Sequence, residues 1–312
     1  MNSLREASRS GETPNVLPNV LIAGATGFIG TALMKSLRAQ GYHPVVVSRN
    51  PTKAKLKLGV AAISLTEALT GPIDAVINLA GANVFALPWT DRRKKLLLDS
   101  RIGVTKALLT QLKQSNLRPK VWIQASAVGF YPTQSSTPLD EHSAPGTGFA
   151  AQLCQAIEQS SAEAKALGAR VVNLRFGLVL GQTGGVFPMM KLGTQLAGGS
   201  VLGSGEQRVA WIHLTDAVAL IQAALENPKW QGAINAVAPQ SPSYLEFASA
   251  LSLAAHRPRW LKVPAFLLKI ALGERAPLML EGAQIKPRAA LKSGFVFAFP
   301  DLQAAMRQLF SK

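Results

Sequence analysis

Short apolar runs alternate with amphipathic segments through the first half of the chain. The runs fall at 20–24 (VLIAG), 45–48 (VVVS), 74–81 (DAVINLAG) and 121–126 (VWIQAS). Between them, 30–41 and 91–114 repeat their apolar positions with the period of a helix. Fully apolar strands separated by helices predict a parallel sheet covered on both faces. Gly41 reads as a helix C-cap and Gly71-Pro72 as a turn. A further helix is predicted over 148–167, stopped by Gly168, and a single strand over 170–180.

Beyond this point the pattern changes. Residues 181–207 are Gly-rich and read as irregular. Thr215 is placed to N-cap a helix running to Glu226, and 233–238 (AINAVA) reads as one more strand. The tail 239–312 is helical in pattern and broken by prolines; within it, 263–273 (VPAFLLKIALG) predicts a buried helix. The expected fold is α/β, a doubly wound parallel sheet of the Rossmann type with a smaller C-terminal substrate domain. The nucleotide-binding domain is expected over 18–180, with 211–238 returning to it. The smaller domain takes 181–210 and 239–312, and residues 1–17 read as a disordered tail.

Composition narrows the picture. A chain of 312 residues, 48% hydrophobic, is long enough for a well-buried core. Its one cysteine, Cys154, excludes an internal disulfide and a four-cysteine zinc site, and fits a reducing, cytoplasmic compartment. No apolar run is long enough to span a membrane, and the first 17 residues lack the apolar core of a secretory signal. The net charge of +16 invites a polyanionic or phosphorylated partner. The basic run 92–95 (RRKK) and the looser set Lys53, Lys55 and Lys57 have no interleaved aromatics, so they read first as solvated helix faces and second as contacts to a phosphate-bearing small molecule. Neither nucleic acid nor a membrane is expected as partner; a homodimer is compatible with the sequence.

The strongest motif is 19–30, NVLIAGATGFIG. An apolar strand runs into Gly24, Gly27 and Gly30 and then directly into a helix. Gly24 permits the tight turn, Gly27 lets the backbone approach a pyrophosphate, and Gly30 lets the helix pack on the sheet. The free N–H groups of the helix start, at Phe28 and Ile29 after Thr26, suit phosphate oxygens. The next strand ends at 47–51 (VSRNP). Where an acidic residue would bind a ribose 2′-hydroxyl, the chain has Ser48 and Arg49, and a guanidinium suits a 2′-phosphate by charge and geometry. The cofactor expectation is therefore NADP(H). Small residues Leu79, Ala80 and Gly81 end the fourth strand and leave room on the adenosine side.

Together with 126–132 (SAVGFYP), 170–181, 184–190 (GGVFPMM), 203–213 (GSGEQRVAWIH), 234–240 and 295–302, these motifs run across nearly the whole chain. In them the sequence resembles an atypical extended short-chain dehydrogenase/reductase, within the nucleoside-diphosphate-sugar epimerase-like family (the SDR39U group) that carries a C-terminal extension. The resemblance implies an NADP-binding protein of oxidoreductase or epimerase type. It places Ala125, Ser126 and the segment Phe176, Gly177, Leu178 and Val179 near the nicotinamide.

Chemistry in that superfamily uses a Tyr as general acid/base, a Lys four residues on, and a Ser that orients the substrate oxygen. Ser126 matches the serine. The Tyr and Lys positions carry Phe149 and Leu153. Tyr42, Tyr131 and Tyr244 are followed four residues on by Val46, Ser135 and Ala248, so no such pair exists elsewhere. Three accounts follow. Ser126 and Tyr131 react together; an acid among Asp140, Glu141 and Glu158 serves a different reaction; or the protein binds NADP(H) as a sensor or scaffold for a partner. The family often has a Trp before the acid of this helix, and Ile157 stands there. Arg101 and Arg175 are candidate contacts for a substrate anion. The scattered histidines give no metal-ligand spacing, and His213 reads as a packed, hydrogen-bonded residue.

Overall fold

The computed structural model describes residues 18–311; the disordered tail expected over 1–17 lies outside them. The strands are β1 (Asn19–Ala23), β2 (His43–Val47), β3 (Ala62–Ile63), β4 (Ala75–Asn78), β5 (Val121–Ala127), β6 (Arg170–Phe176), β7 (Leu178–Leu180), β8 (Gly199–Leu202), β9 (Trp211–His213), β10 (Gly232–Ala236) and β11 (Arg259–Val263). The helices are α1 (Phe28–Ala39), α2 (Pro51–Leu58), α3 (Asp91–Leu98), α4 (Val104–Gln114), α5 (Gly148–Ala162), α6 (Phe187–Ala197), α7 (Leu214–Glu226), α8 (Tyr244–Ala254), α9 (Ala265–Leu272), α10 (Pro277–Leu280), α11 (Arg288–Lys292) and α12 (Leu302–Phe310).

Seven strands form one parallel sheet in the order β10-β6-β5-β4-β1-β2-β3. Alternate residues of each strand point to opposite faces, and both faces are buried. Val20, Ile22 and Ile77 pack with Leu33 and Leu37 of α1 and Leu220 and Ile221 of α7. Leu21, Ala23 and Val76 pack on the other face with Leu108 and Leu112 of α4 and with Leu167. This is why the strands read as unbroken apolar runs. Each Val, Leu or Ile among them contributes about 1.5–3 kcal/mol by leaving water. The strand order reverses at β1, between β2 and β4, so a ligand crevice opens at the C-terminal ends of β1 and β4.

Several elements depart from the sequence expectations. The strand expected over 170–180 breaks at Gly177, where a Cβ would lie 2.6 Å from the Ala210 carbonyl oxygen. β6 stays in the large sheet, while β7 leaves it to pair with β9. The helix expected over 91–114 is interrupted by a π-helical turn at Asp99–Gly103. Residues 181–207, expected to be irregular, hold α6 and β8, and β8 pairs with β11. The N-cap of α7 is His213 rather than Thr215: the His213 Nδ1 accepts from the Thr215 amide at 3.2 Å. Residues 263–273 do form a helix, α9, but none of its residues is buried: it sits at the surface, with Phe266 61% and Ile270 79% exposed. In the C-terminal part, α12 returns to pack Leu302, Met306 and Leu309 against Phe247 of α8, Leu180 and Trp211.

Candidate functional site

The crevice begins at the glycine turn. Gly24 has a left-handed backbone, φ +82°, and a Cβ there would sit 2.6 Å from the Leu79 carbonyl carbon of the neighbouring strand end. At Gly30 a Cβ would lie 2.3 Å from the Gly24 carbonyl oxygen. Gly27 caps α1 without any side-chain acceptor, and no acidic residue occupies the first turn. The first amides of the helix are thus left for an external acceptor. The Phe28 ring turns away into a cup of glycines; Cβ atoms on Gly181 and Gly184 would each fall 2.6 Å from it. The loop leaving β7 therefore closes over the start of α1.

At the end of β2, the Ser48 hydroxyl accepts from the Asn50 amide at 3.2 Å, and Arg49 is exposed. Lys57 of α2, read from the sequence first as part of a solvated basic face, reaches back so that its Nζ donates to the Thr26 carbonyl at 2.8 Å. It adds a second cation to the same end of the turn. The β4 end is fixed by Asn78, fully buried, which donates to Thr105 Oγ1 at 3.0 Å and Gln124 Oε1 at 3.2 Å. Leu79, Ala80 and Gly81 follow beside Gly24, and the Arg101 guanidinium lies directly against Gly81.

The ends of β5 and β6 carry a buried polar chain. Ser126 and Arg175 are paired across the two strands. The Ser126 hydroxyl donates to Glu158 Oε1 of α5 at 2.8 Å. Arg175 holds the same carboxylate with two bonds, Nε to Oε1 and Nη2 to Oε2, both 2.8 Å. Its Nη1 donates to the Tyr131 hydroxyl at 2.8 Å, and that hydroxyl donates to Asn235 Oδ1 at 2.7 Å. The Arg175 guanidinium also stacks on the Phe130 ring, 3.4 Å from its centre. Arg175 is 4% exposed, Tyr131 3% and Ser126 7%. Burial raises the Tyr131 phenol against the pull of Arg175. The Cys154 thiol nearby is pushed up to about 11 by burial.

The structure thus connects Ser126 and Tyr131 only through Glu158 and Arg175. Ser126 is the member at the crevice end of the chain, and the Arg175 fork is engaged by its own carboxylate. Of the other candidate acids, Asp140 is paired with a different arginine and Glu141 meets only the Asn235 end of the polar chain. Asp140 binds Arg288 at 2.6 Å, which holds its carboxyl below the usual range. Glu141 accepts the amides of Asn235 and Ala289, each at 3.1 Å. Phe149 and Leu153 belong to an apolar cluster with Leu97, Ile157, Trp89 and Val84; Phe149 meets Trp89 edge-on at 5.0 Å. Ala125 is partly buried in β5 and pairs with Leu174, two residues before the Phe176–Val179 bend. Among the described residues no group of His, Cys, Asp or Glu could hold a metal, and no helix is long and apolar enough to cross a membrane. Asn235 was not singled out in the sequence, and Lys57 stood there only as one of three basic residues, because only the fold brings them to Tyr131 and to the turn.

Residues 20–236 match the NAD dependent epimerase/dehydratase family, and residues 263–309 match a domain of unknown function, DUF1731. The Epimerase family protein YfhF of Bacillus subtilis is 36% identical, over 94% of this chain and 98% of its own length. The crystal structure of the human epimerase family protein SDR39U1 with NADPH superposes with a TM-score of 0.85 at 32% identity, covering 94% of this chain and 99% of that one. The UDP-N-acetylglucosamine 4-epimerase of Bacillus cereus shares the fold, with a TM-score of 0.74 at 16% identity.

Proposed function

The chain belongs to the NAD dependent epimerase/dehydratase family, and from that premise we propose that it binds NADP(H) and acts with it as an oxidoreductase or epimerase on a small, phosphorylated or nucleotide-linked substrate. One observation carries the reading: the turn from Gly24 to Gly30 is packed so closely on the β4 end that it leaves bare backbone and free helix amides facing the crevice. A pyrophosphate fits that surface. Ser48, Arg49 and Lys57 supply the polar and cationic groups for a 2′-phosphate, and Leu79, Ala80 and Gly81 flank the adenosine. The NADPH in the human SDR39U1 structure supports the assignment.

The nicotinamide, when bound, supplies the hydride acceptor or donor. The chain's own part is to orient the substrate and handle its proton. Because the Ser126 hydroxyl donates to Glu158, its oxygen lone pairs are free to accept a substrate hydroxyl proton while its own proton passes to Glu158. In the reducing direction the transfer runs back through the same two atoms. Arg175 fixes the carboxylate, and Tyr131 with Asn235 fixes Arg175. Ser126 is thus the substrate-facing group, and Tyr131 is a positioning residue. NADPH oxidation is expected with at least one member of a carbonyl library, and Ser126→Ala should abolish it; unchanged turnover in that variant refutes the role of the serine.

A second reading rests on the apolar packing at Phe149 and Leu153. A protein that binds NADP(H) without turnover, and whose occupancy sets its affinity for a partner, needs no ionisable pair there. It predicts binding without NADPH oxidation and partner capture that changes with NADPH; capture indifferent to the cofactor contradicts it.

A further inference from the structure

The loop 81–85 after β4 has an unusual set of partners. Each of its carbonyls from Ala82 to Phe85 is claimed by a side-chain donor. Arg101 Nη2 donates to Ala82 O at 2.9 Å, Arg93 Nη2 to Asn83 O at 2.5 Å, Trp89 Nε1 to Val84 O at 2.9 Å, and Arg275 Nη1 to Phe85 O at 2.8 Å. Three guanidiniums therefore converge on one short loop. They come from α3, from the π-helical turn and from the C-terminal arm. None of the three pairs with a carboxylate among the described residues; Glu274, next to Arg275 in the chain, is held by Lys94 at 2.7 Å. The Arg93 Nε is buried without a hydrogen-bond partner. Arg101 is half-buried, and desolvation lowers its pKa.

Carbonyl dipoles position guanidiniums but do not neutralise three positive charges. Clustered cations in a partly desolvated place repel one another unless an anion joins them. The cluster adjoins the crevice, since Arg101 rests on Gly81, while Gly81 itself and Asn83 are open to solvent. A π-helical turn at the base of the site is a recurrent mark of function. A single carboxylate brings one charge, whereas a phosphate monoester brings up to two and three acceptor oxygens in a shape that arginine forks match.

We propose that the arginine-held loop 81–85 is the anchoring site for a phosphate monoester group of the substrate, bound between the sheet domain and the C-terminal arm by Arg93, Arg101 and Arg275. The site takes its place beside the crevice from the cofactor reading above, but its chemistry stands on the arginines alone. The DUF1731 segment contributes Arg275 and so completes the site.

The test is a thermal-shift titration of the full chain with inorganic phosphate, at ionic strength held constant with potassium chloride and with NADPH saturating. A rise in melting temperature with phosphate is expected, from which an apparent Kd follows. Arg93→Gln should weaken that Kd about tenfold, the loss of one charge-assisted contact. Arg275→Gln should weaken it similarly from the other side of the loop. Arg92→Gln, an exposed neighbour with the same charge change, should leave it unaltered. No shift with phosphate, or equal weakening by Arg92→Gln and Arg93→Gln, overturns the proposal. The NADPH shift is read first and separately. Its absence counts against the cofactor reading alone, because phosphate is then titrated on the same protein without nucleotide.

Discussion

Replacing Glu158 by Gln keeps the shape of the side chain and removes its charge. The carboxylate accepts three hydrogen bonds, from Ser126 Oγ and from Arg175 Nε and Nη2, each at 2.8 Å. A Gln amide has one oxygen to offer, and its NH2 faces an arginine N–H that it cannot accept. Arg175, 4% exposed and stacked on Phe130, is then a buried charge with no counter-ion. Breaking a buried pair from one side costs about 3–5 kcal/mol. The Glu158 side chain keeps 13% exposure, so some water reaches the pair and the lower end, about 3 kcal/mol, is expected. Urea unfolding followed by circular dichroism reads this directly: with a slope of about 3 kcal/mol/M, the midpoint falls by about 1 M. Removing both charges, as in Glu158→Gln with Arg175→Met, should recover much of the loss, since an apolar replacement leaves no orphan charge. A single-variant loss below about 1 kcal/mol, with no recovery in the double variant, would refute the dependence of Arg175 on Glu158.

Other consequences are equally measurable. Gly30→Ala drives a Cβ to 2.3 Å from Gly24 O and 2.7 Å from Ala25 Cα, backbone that cannot rotate aside. It should cost about 1–3 kcal/mol in a denaturation curve and remove the NADPH-induced rise in melting temperature. Lys57→Ala frees the Thr26 carbonyl and takes a cation from the turn, so NADPH should bind about three- to tenfold more weakly by fluorescence titration, with the melting temperature of the free protein little changed. Burial lowers the pKa of His213 below 6.5. The folded state then holds fewer protons than the unfolded one, so stability is full above that value and falls as pH drops below it. Burial raises Asp216, whose contribution is lost as pH rises through its folded value, so comparison with His213→Gln isolates the histidine: the variant should show a flatter melting temperature between pH 7 and about 5.5.

The sheet was legible because both its faces are buried, which turns β1, β4, β5 and β6 into largely apolar runs visible in the pattern along the chain. The glycine turn was legible because its chemistry is local: strand, glycines and helix follow one another in the chain. What escaped is set by contacts between distant segments. The run FGLVL shows no break, and only the approach of Ala210 to Gly177 makes one. Nothing in VPAFLLKIALG says that α9 stands at the surface, because burial is a property of neighbours. Thr215 has the residue type of a cap, yet the preceding imidazole takes the amide first. Glu158 and Arg175 each looked like single candidates, and the sequence did not reveal that they neutralise each other. Arg93 lies ten residues beyond the carbonyl it binds, but Arg275 comes to the same loop from 190 residues away, which no spacing rule would find.

The central claim is that the crevice at the β1 and β4 ends holds a phosphorylated dinucleotide. It is tested most directly by a thermal-shift titration of the wild type and Arg49→Ala with NADP+, NADPH, NAD+ and NADH. A ligand that binds only the folded state raises its melting temperature. A shift is expected with NADP+ and NADPH, little with the other two, and loss of that preference in Arg49→Ala. No shift with any of the four nucleotides would contradict it.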